Sequence, residues 1–133
     1  MARHRYSTEA GAPERPVYAD WVRGALERGK YVGLLMEEGP VIVAGAGLAL
    51  LEWWPTRVDV NPVRARLVNV WTHPEYRRQG LARRLTGALL EEAQARGIRT
   101  VSLSSTAMGR SLYEGLGFQA QTSEMLLTLE RTP

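Results

Sequence analysis

Two hydrophobic periods alternate along this chain, and they divide it into helices and strands. In "PVYADWVRGALERGK" the apolar positions Val17, Trp21, Val22, Ala25 and Leu26 fall on one helical face, and Gly29 ends the run. "YVGLLMEE" and "PVIVAGAGLALLEWW" are rich in Val, Leu and Ile, and Glu38-Gly39-Pro40 between them predicts a tight turn joining two strands. "PTRVDVNPVRA" reads as a loop and "ARLVNVWT" as a third strand. From Leu81 the helical spacing returns through Leu85, Ala88, Leu89 and Ala93, with Gly97 as its stop. "IRTVSLSS" predicts another strand, "AMGRSLYEGLGF" a short helix ended by Gly115 or Gly117, and "SEMLLTLE" a last strand. Residues 1–16 hold Gly11, Pro13 and Pro16 without any period and read as a loose N-terminal arm, leaving 17–133 as a single domain.

The order is helix, strand hairpin, strand, helix, strand, helix, strand. A hairpin is antiparallel, whereas a strand–helix–strand unit demands a right-handed parallel crossover. The expected fold is therefore α/β, a mixed sheet with helices layered on it.

At 133 residues the chain can bury one core but not two. Its longest apolar stretch, Val41 to Trp54, is too short and too glycine-interrupted for a bilayer. "MARHRYSTEAGAPERP" has no apolar core of a signal peptide, so a cytoplasmic protein without membrane attachment is expected. Cysteine is absent, and His4 and His73 lie far apart in sequence, so no metal site is expected. Basic residues number 17 against 14 acidic, and all but Lys30 are arginine. Arginine captures planar anions in bidentate fashion. The arginines are scattered and no run of stacking aromatics accompanies them, which argues against nucleic acid as a partner.

Clustered arginines change the picture at "HPEYRRQGLARRL". A helix beginning at Leu81 leaves its first N–H groups unpaired and carries positive partial charge there. Gly80 lets a bulky anion approach the backbone, Ala82 keeps the approach clear, and Arg77 and Arg78 stand just upstream. Together they suit a phosphate group. Neither the Gly-Lys-Ser/Thr ending of a nucleotide loop nor the three glycines of a dinucleotide fingerprint is present. At this level Arg77 and Arg78 are either phosphate contacts or solvated turn residues.

The stretch "NVWTHPEYRRQGLARRL" resembles the acetyl-coenzyme A motif of the GNAT superfamily, the Gcn5-related N-acetyltransferases. That motif reads [Arg/Gln]-x-x-Gly-x-[Gly/Ala], and here it is Arg77-Arg78-Gln79-Gly80-Leu81-Ala82. One strand later, "GRSLYEGLGF" is similar to the family's second motif, a short helix with a tyrosine followed by Leu-Gly-Phe. The resemblance implies a mixed, mostly antiparallel central sheet flanked by helices, in a chain with a shortened N-terminus. It implies acetyl-CoA as cosubstrate, held by the main chain of Val70, Trp71 and Thr72 along the pantetheine. The pyrophosphate would lie on the amides of Arg78, Gln79, Gly80, Leu81, Ala82 and Arg83, assisted by the Arg77 or Arg78 side chains. Thr106 takes the place of a cofactor-binding asparagine, and Tyr113 that of the acid that protonates the leaving thiolate. Glu52, at the end of the long strand, is the candidate base, with Trp53 and Trp54 near it lining the cleft.

The activity implied is acetyl transfer to a primary amine, on a small molecule or a peptide, by direct attack in a ternary complex. The rival reading is a non-catalytic CoA-binding module of the same fold. A sheet edge left open by the short N-terminus would favour a homodimer.

Overall fold

The computed structural model describes residues 3–6, 16–121 and 123–129. Five strands form one sheet in sequence order: β1 (Arg3–Tyr6), β2 (Tyr31–Glu38), β3 (Val41–Glu52), β4 (Val63–Thr72) and β5 (Val101–Ser102). Helix α1 (Pro16–Glu27) precedes β2, α2 (Leu81–Ala95) connects β4 to β5, and α3 (Arg110–Gly115) follows β5. Strands β1 to β4 pair antiparallel with their neighbours, and β5 pairs parallel with β4. The mixed, mostly antiparallel sheet is therefore as expected.

The two helical faces cover opposite sides of the sheet. The stripe Leu81, Leu85, Leu89 and Ala93 of α2 packs on Leu34, Met36, Leu48, Ala65 and Leu67, with Ile98 closing the end. Leu85 and Leu89 are fully buried, each contributing about 2 kcal/mol by leaving water. On the other side Val22 and Ala25 of α1 meet Tyr31 and Ala49, flanked by Tyr18, Leu26 and Val68. Alternation along β2, β3 and β4 produces this two-sided burial, because successive side chains point to opposite faces.

Two expectations change. Arg3–Tyr6, placed in a loose arm, forms strand β1 against β2, with Arg3 opposite Glu37 and Tyr6 opposite Leu34. Its sequence, Arg-His-Arg-Tyr, has no apolar alternation to betray it. An edge strand takes its stability from main-chain pairing, so it needs no such pattern. The N-terminus is thus not short of a strand, and β1 covers the edge of β2 on which the homodimer expectation stood. The rest of the arm lies outside the described residues. The last strand, expected at 123–130, is not in the sheet over its described part: residues 123–129 have no regular structure and are exposed. Strand β5 is only two residues long, so it offers little edge for a further strand.

Candidate active site

After β4 the chain turns sharply. The His73 N–H donates to Val43 O (2.8 Å), and His73 Nδ1 accepts from the Glu75 N–H (3.2 Å). That fastens a 3-10 turn over Pro74–Tyr76, so His73 serves as a cap. Arg77 is extended, Arg78 is left-handed (φ 66°), and Gly80 is left-handed again (φ 74°) as the N-cap of α2. Gly80 supplies no capping side chain. The first α-helical bond runs from the Arg84 N–H to Gly80 O, 3.0 Å. The N–H groups of Leu81, Ala82 and Arg83 therefore have no helical acceptor and mark the positive end of the helix. Arg77, Arg78, Gln79 and Gly80 are exposed, and a Cβ built on Gly80 meets nothing within 4 Å. Among the described residues neither Arg77 nor Arg78 has a carboxylate partner. For a non-glycine residue the left-handed backbone at Arg78 costs about 1–2 kcal/mol.

Strand β4 carries the second half of the site. It pairs with β3 along its whole length, from Val63 opposite Glu52 to Thr72 opposite Ala44. With β5 it shares only Ala65–Val101 and Arg66–Ser102. Beyond Arg66 the two strands part, and no strand among the described residues covers that side of Leu67 to Thr72. Val70, Trp71 and Thr72 thus lie on an unpaired edge that leads to the α2 N-terminus.

A residue that the sequence did not mark shapes this edge. Asn69 is left-handed (φ 56°), and the β3–β4 register slips beside it, between Gly45/Trp71 and Gly47/Val68. One residue of β3 faces two of β4, which is a β-bulge. The Asn69 side-chain N–H donates to the hydroxyls of Tyr18, on α1, and Tyr31, on β2 (3.2 Å to Tyr31). Burial raises both phenols, and Tyr31 is pushed up to about 12. The signal was available: asparagine disfavours strands and tolerates left-handed backbone, so one amid "ARLVNVWT" marks a bulge. Close approach completes the arrangement. A Cβ on Gly47 would overlap the Tyr31 hydroxyl, and one on Gly45 would stand 2.6 Å from Trp71 Nε1.

Tyr113, on α3, packs against the core beneath α2, and its ring meets Phe118 edge-on at 5.9 Å. Burial raises its pKa above the ordinary tyrosine value, so the hydroxyl keeps its proton throughout the neutral range. Among the described residues that hydroxyl has no protein partner. Arg83 brings α2 and α3 together, since a Cβ on Gly115 would lie 3.1 Å from its Nη1. Thr106 is already in use: its Oγ1 accepts from the Gly109 N–H at 3.2 Å, fixing the turn into α3, although its hydroxyl proton is free to donate.

Glu52 lies away from the α2 N-terminus, before the point where β4 and β5 part. It is exposed and sits opposite Val63, at the start of β4. Val63 lies eight residues from Trp71 along β4, about 25 Å, but only three from Arg66, where β4 and β5 part, about 10 Å. The tryptophans share that far end. Trp53 stacks on Trp54 at 4.6 Å and lies under the Arg64 guanidinium at 5.1 Å, so they close the β3–β4 loop. Asp59 anchors the same loop, accepting from the Thr100 hydroxyl (2.5 Å) and the Asn61 N–H (3.0 Å), with Arg64 at 4.0 Å. These bonds, the Thr100 one foremost, hold its carboxyl below the usual carboxylate range.

The site thus joins an uncapped helix N-terminus to a parted strand edge. The profile of the acetyltransferase (GNAT) family matches residues 2–118, and the chain belongs to that family. Over 61 residues it is 43% identical to the [ribosomal protein bS18]-alanine N-acetyltransferase of Escherichia coli K12. That match covers 44% of this chain and 41% of the relative, so it spans about two-fifths of the curated protein's length. A GCN5-related N-acetyltransferase structure from Ralstonia eutropha JMP134 superposes with TM-score 0.85 at 26% identity, covering 97% of this chain and 99% of that one. A predicted acetyltransferase from Clostridium acetobutylicum, solved with acetyl-CoA, has TM-score 0.84 at 23% identity over 96% of each chain. Among the described residues no helix is long and apolar enough to cross a membrane.

Proposed function

We propose that this chain is an N-acetyltransferase that moves the acetyl group of acetyl-CoA to a primary amine by direct attack in a ternary complex. One observation carries the reading: the unpaired N–H groups opening α2 adjoin the unpaired edge of β4 beyond Arg66. The first surface suits a diphosphate and has room for it, with Gly80 open and, among the described residues, no carboxylate paired with Arg77 or Arg78. The second suits an amide-bearing chain that pairs as an added strand would. Acetyl-CoA offers both parts, and it supplies an acetyl group already activated as a thioester.

In this reading Arg77, Arg78 and Gln79, with the amides of Gly80, Leu81, Ala82 and Arg83, hold the diphosphate. Val70, Trp71 and Thr72 hold the pantetheine arm, and the Thr106 hydroxyl donates beside α3. The amine nitrogen attacks the thioester carbonyl and loses its proton to solvent. As the carbon–sulfur bond breaks, the sulfur takes the proton that Tyr113 holds. The chain has no cysteine, so no thioester relay through the protein intervenes. The acceptor class comprises small-molecule and peptide amines; the Escherichia coli relative is named for an alanine of ribosomal protein bS18. We place the reaction in the cytoplasm, as for an enzyme acting on a ribosomal protein.

Thermal shift with acetyl-CoA, followed by thiol release with a panel of amines, tests the reading. Stabilisation together with amine-dependent thiol release is expected. Stabilisation without release for any amine assigns the non-catalytic CoA-binding role instead, and no stabilisation refutes both.

A further inference from the structure

Resting on that reading, we propose that Arg66 anchors the acceptor and that the acceptor is an amine bearing a carboxylate or another anionic group. Arg66 occupies the last β4–β5 register pair, opposite Ser102, where the two strands part. From Thr72, beside the diphosphate end, the free edge of β4 runs six residues down to Arg66, about 20 Å. A cosubstrate fixed at α2 and laid along that edge directs its reacting end toward this vertex. Helix α2 covers one face of the sheet and α1 packs on Tyr31 and Ala49 of the other, so the β4–β5 end of that second face is left for the acceptor. Arg66 stands on that other face, because it pairs with Ala49, which meets α1.

Among the described residues, the surroundings of Arg66 lack a counter-charge. Its Nη1 donates to Ser102 Oγ at 3.2 Å and its Nη2 to Ser104 Oγ at 2.7 Å, both neutral hydroxyls. Two of five N–H donors are thus used, and three remain in the planar fork. Among the described residues no carboxylate forms an ion pair with it. Arg64, two positions earlier on the same face, is the contrast: it has Asp59 at 4.0 Å, the Thr56 hydroxyl at 3.2 Å and the Trp53 ring beneath it. Arg64 is consumed by the fold, whereas Arg66 is held in place by two serines with its charge unspent. About 10 Å up the strand, Asn69 and Tyr18 line the same face and add further polar groups without negative charge. A fixed, uncompensated guanidinium among hydroxyls at the acceptor's entry selects an anion, and its planar fork fits a carboxylate best.

The test uses matched acceptors with the full chain: α-amino acids against their α-amides, phosphoethanolamine against ethanolamine, and an alanine-initiated peptide free of acidic residues. Acetyl-CoA binding is measured first by thermal shift. The anionic member of a pair is expected to be favoured about 10- to 100-fold in kcat/KM, the range for a charge-assisted bidentate contact. The amino acid pairs and the phosphate pair report which anion is preferred. Arg66→Gln should bring that ratio close to one, and Arg66→Lys should retain part of it. The acetyl-CoA concentration for half-saturation should stay unchanged in both variants. If Arg66 only ties β4 to β5, the substitutions would instead raise the half-saturation for acetyl-CoA and lower the rate for every acceptor alike. That result overturns the proposal, as does preference for the neutral amines or the peptide, or acetyl-CoA binding with no anionic amine acetylated. Absence of acetyl-CoA binding refutes the acetyltransferase reading itself.

Discussion

Replacing Gly47 by alanine tests whether the clamp behind the β4 bulge is as tight as its geometry states. A Cβ at this position would overlap the Tyr31 hydroxyl and approach ring atom Cε2 to 3.1 Å. A phenol at a surface would swing away at little cost. Tyr31 cannot, because it is only 5% exposed, packs against Val22, Ala25 and Ala49, and meets Trp21 edge-on at 6.2 Å. Its hydroxyl is also held by Asn69. Overpacking in a filled core costs about 1–3 kcal/mol, and losing the buried hydrogen bond adds about 1 kcal/mol. The sum is about 2–4 kcal/mol. For a domain of this size that lowers the melting temperature by about 7–14 °C. Thermal denaturation followed by circular dichroism measures it. Tyr31→Ala in the Gly47→Ala background should then cost far less than Tyr31→Ala does alone, since the added methyl fills part of the space vacated. A shift of less than 2 °C for Gly47→Ala would refute the reasoning, because it would mean that Tyr31 has somewhere else to go.

Tyr113→Phe should lower kcat about 100-fold while acetyl-CoA affinity, read by calorimetry, changes less than about 2-fold. Because burial raises the Tyr113 pKa, its proton is retained on the alkaline side, and no fall in rate assignable to it should occur below pH 10. Gly80→Ala should cost only about 1 kcal/mol of stability from its left-handed backbone. Its Cβ points into open space, so a larger loss, about 10-fold or more, should fall on acetyl-CoA binding. Asp59 has a lowered pKa, so its contribution is complete above about pH 4, the value in the unfolded chain, and is lost as pH falls through the folded value. Asp59→Asn should therefore reduce the urea midpoint at pH 7, with the gap to the parent closing below pH 4.

Much of this architecture was legible in the chain because periodicity reports burial directly. The stripe from Leu81 to Ala93 and the runs in β2, β3 and β4 each face a core, so composition and structure agree. The turn into α2 was legible for a different reason, since its left-handed N-cap favours the glycine found at position 80. Strand β1 was not, because Arg-His-Arg-Tyr pairs through its main chain and carries no apolar signature. The segment 123–129 misled in the opposite sense: Met125, Leu127 and Leu129 alternate as a strand would, yet they lie exposed beside a two-residue β5. The place of Glu52 was not legible, because the sequence does not reveal the pairing register that sets it three β4 residues from Arg66 and eight from Trp71. Arg66 drew no notice for a related reason, since the role proposed for it rests on its surroundings among the described residues, which only three dimensions show.

If Arg78 holds the diphosphate as proposed, its left-handed turn leaves stability and recognition pulling against each other at a single position. Glycine there would relieve the contorted backbone, but it would strip a cation from the mouth of the helix. On that reading a chain that keeps arginine accepts a less comfortable fold so that its groove is already shaped when an anion arrives. Attempts to toughen this protein by relaxing that loop would therefore trade grip for durability.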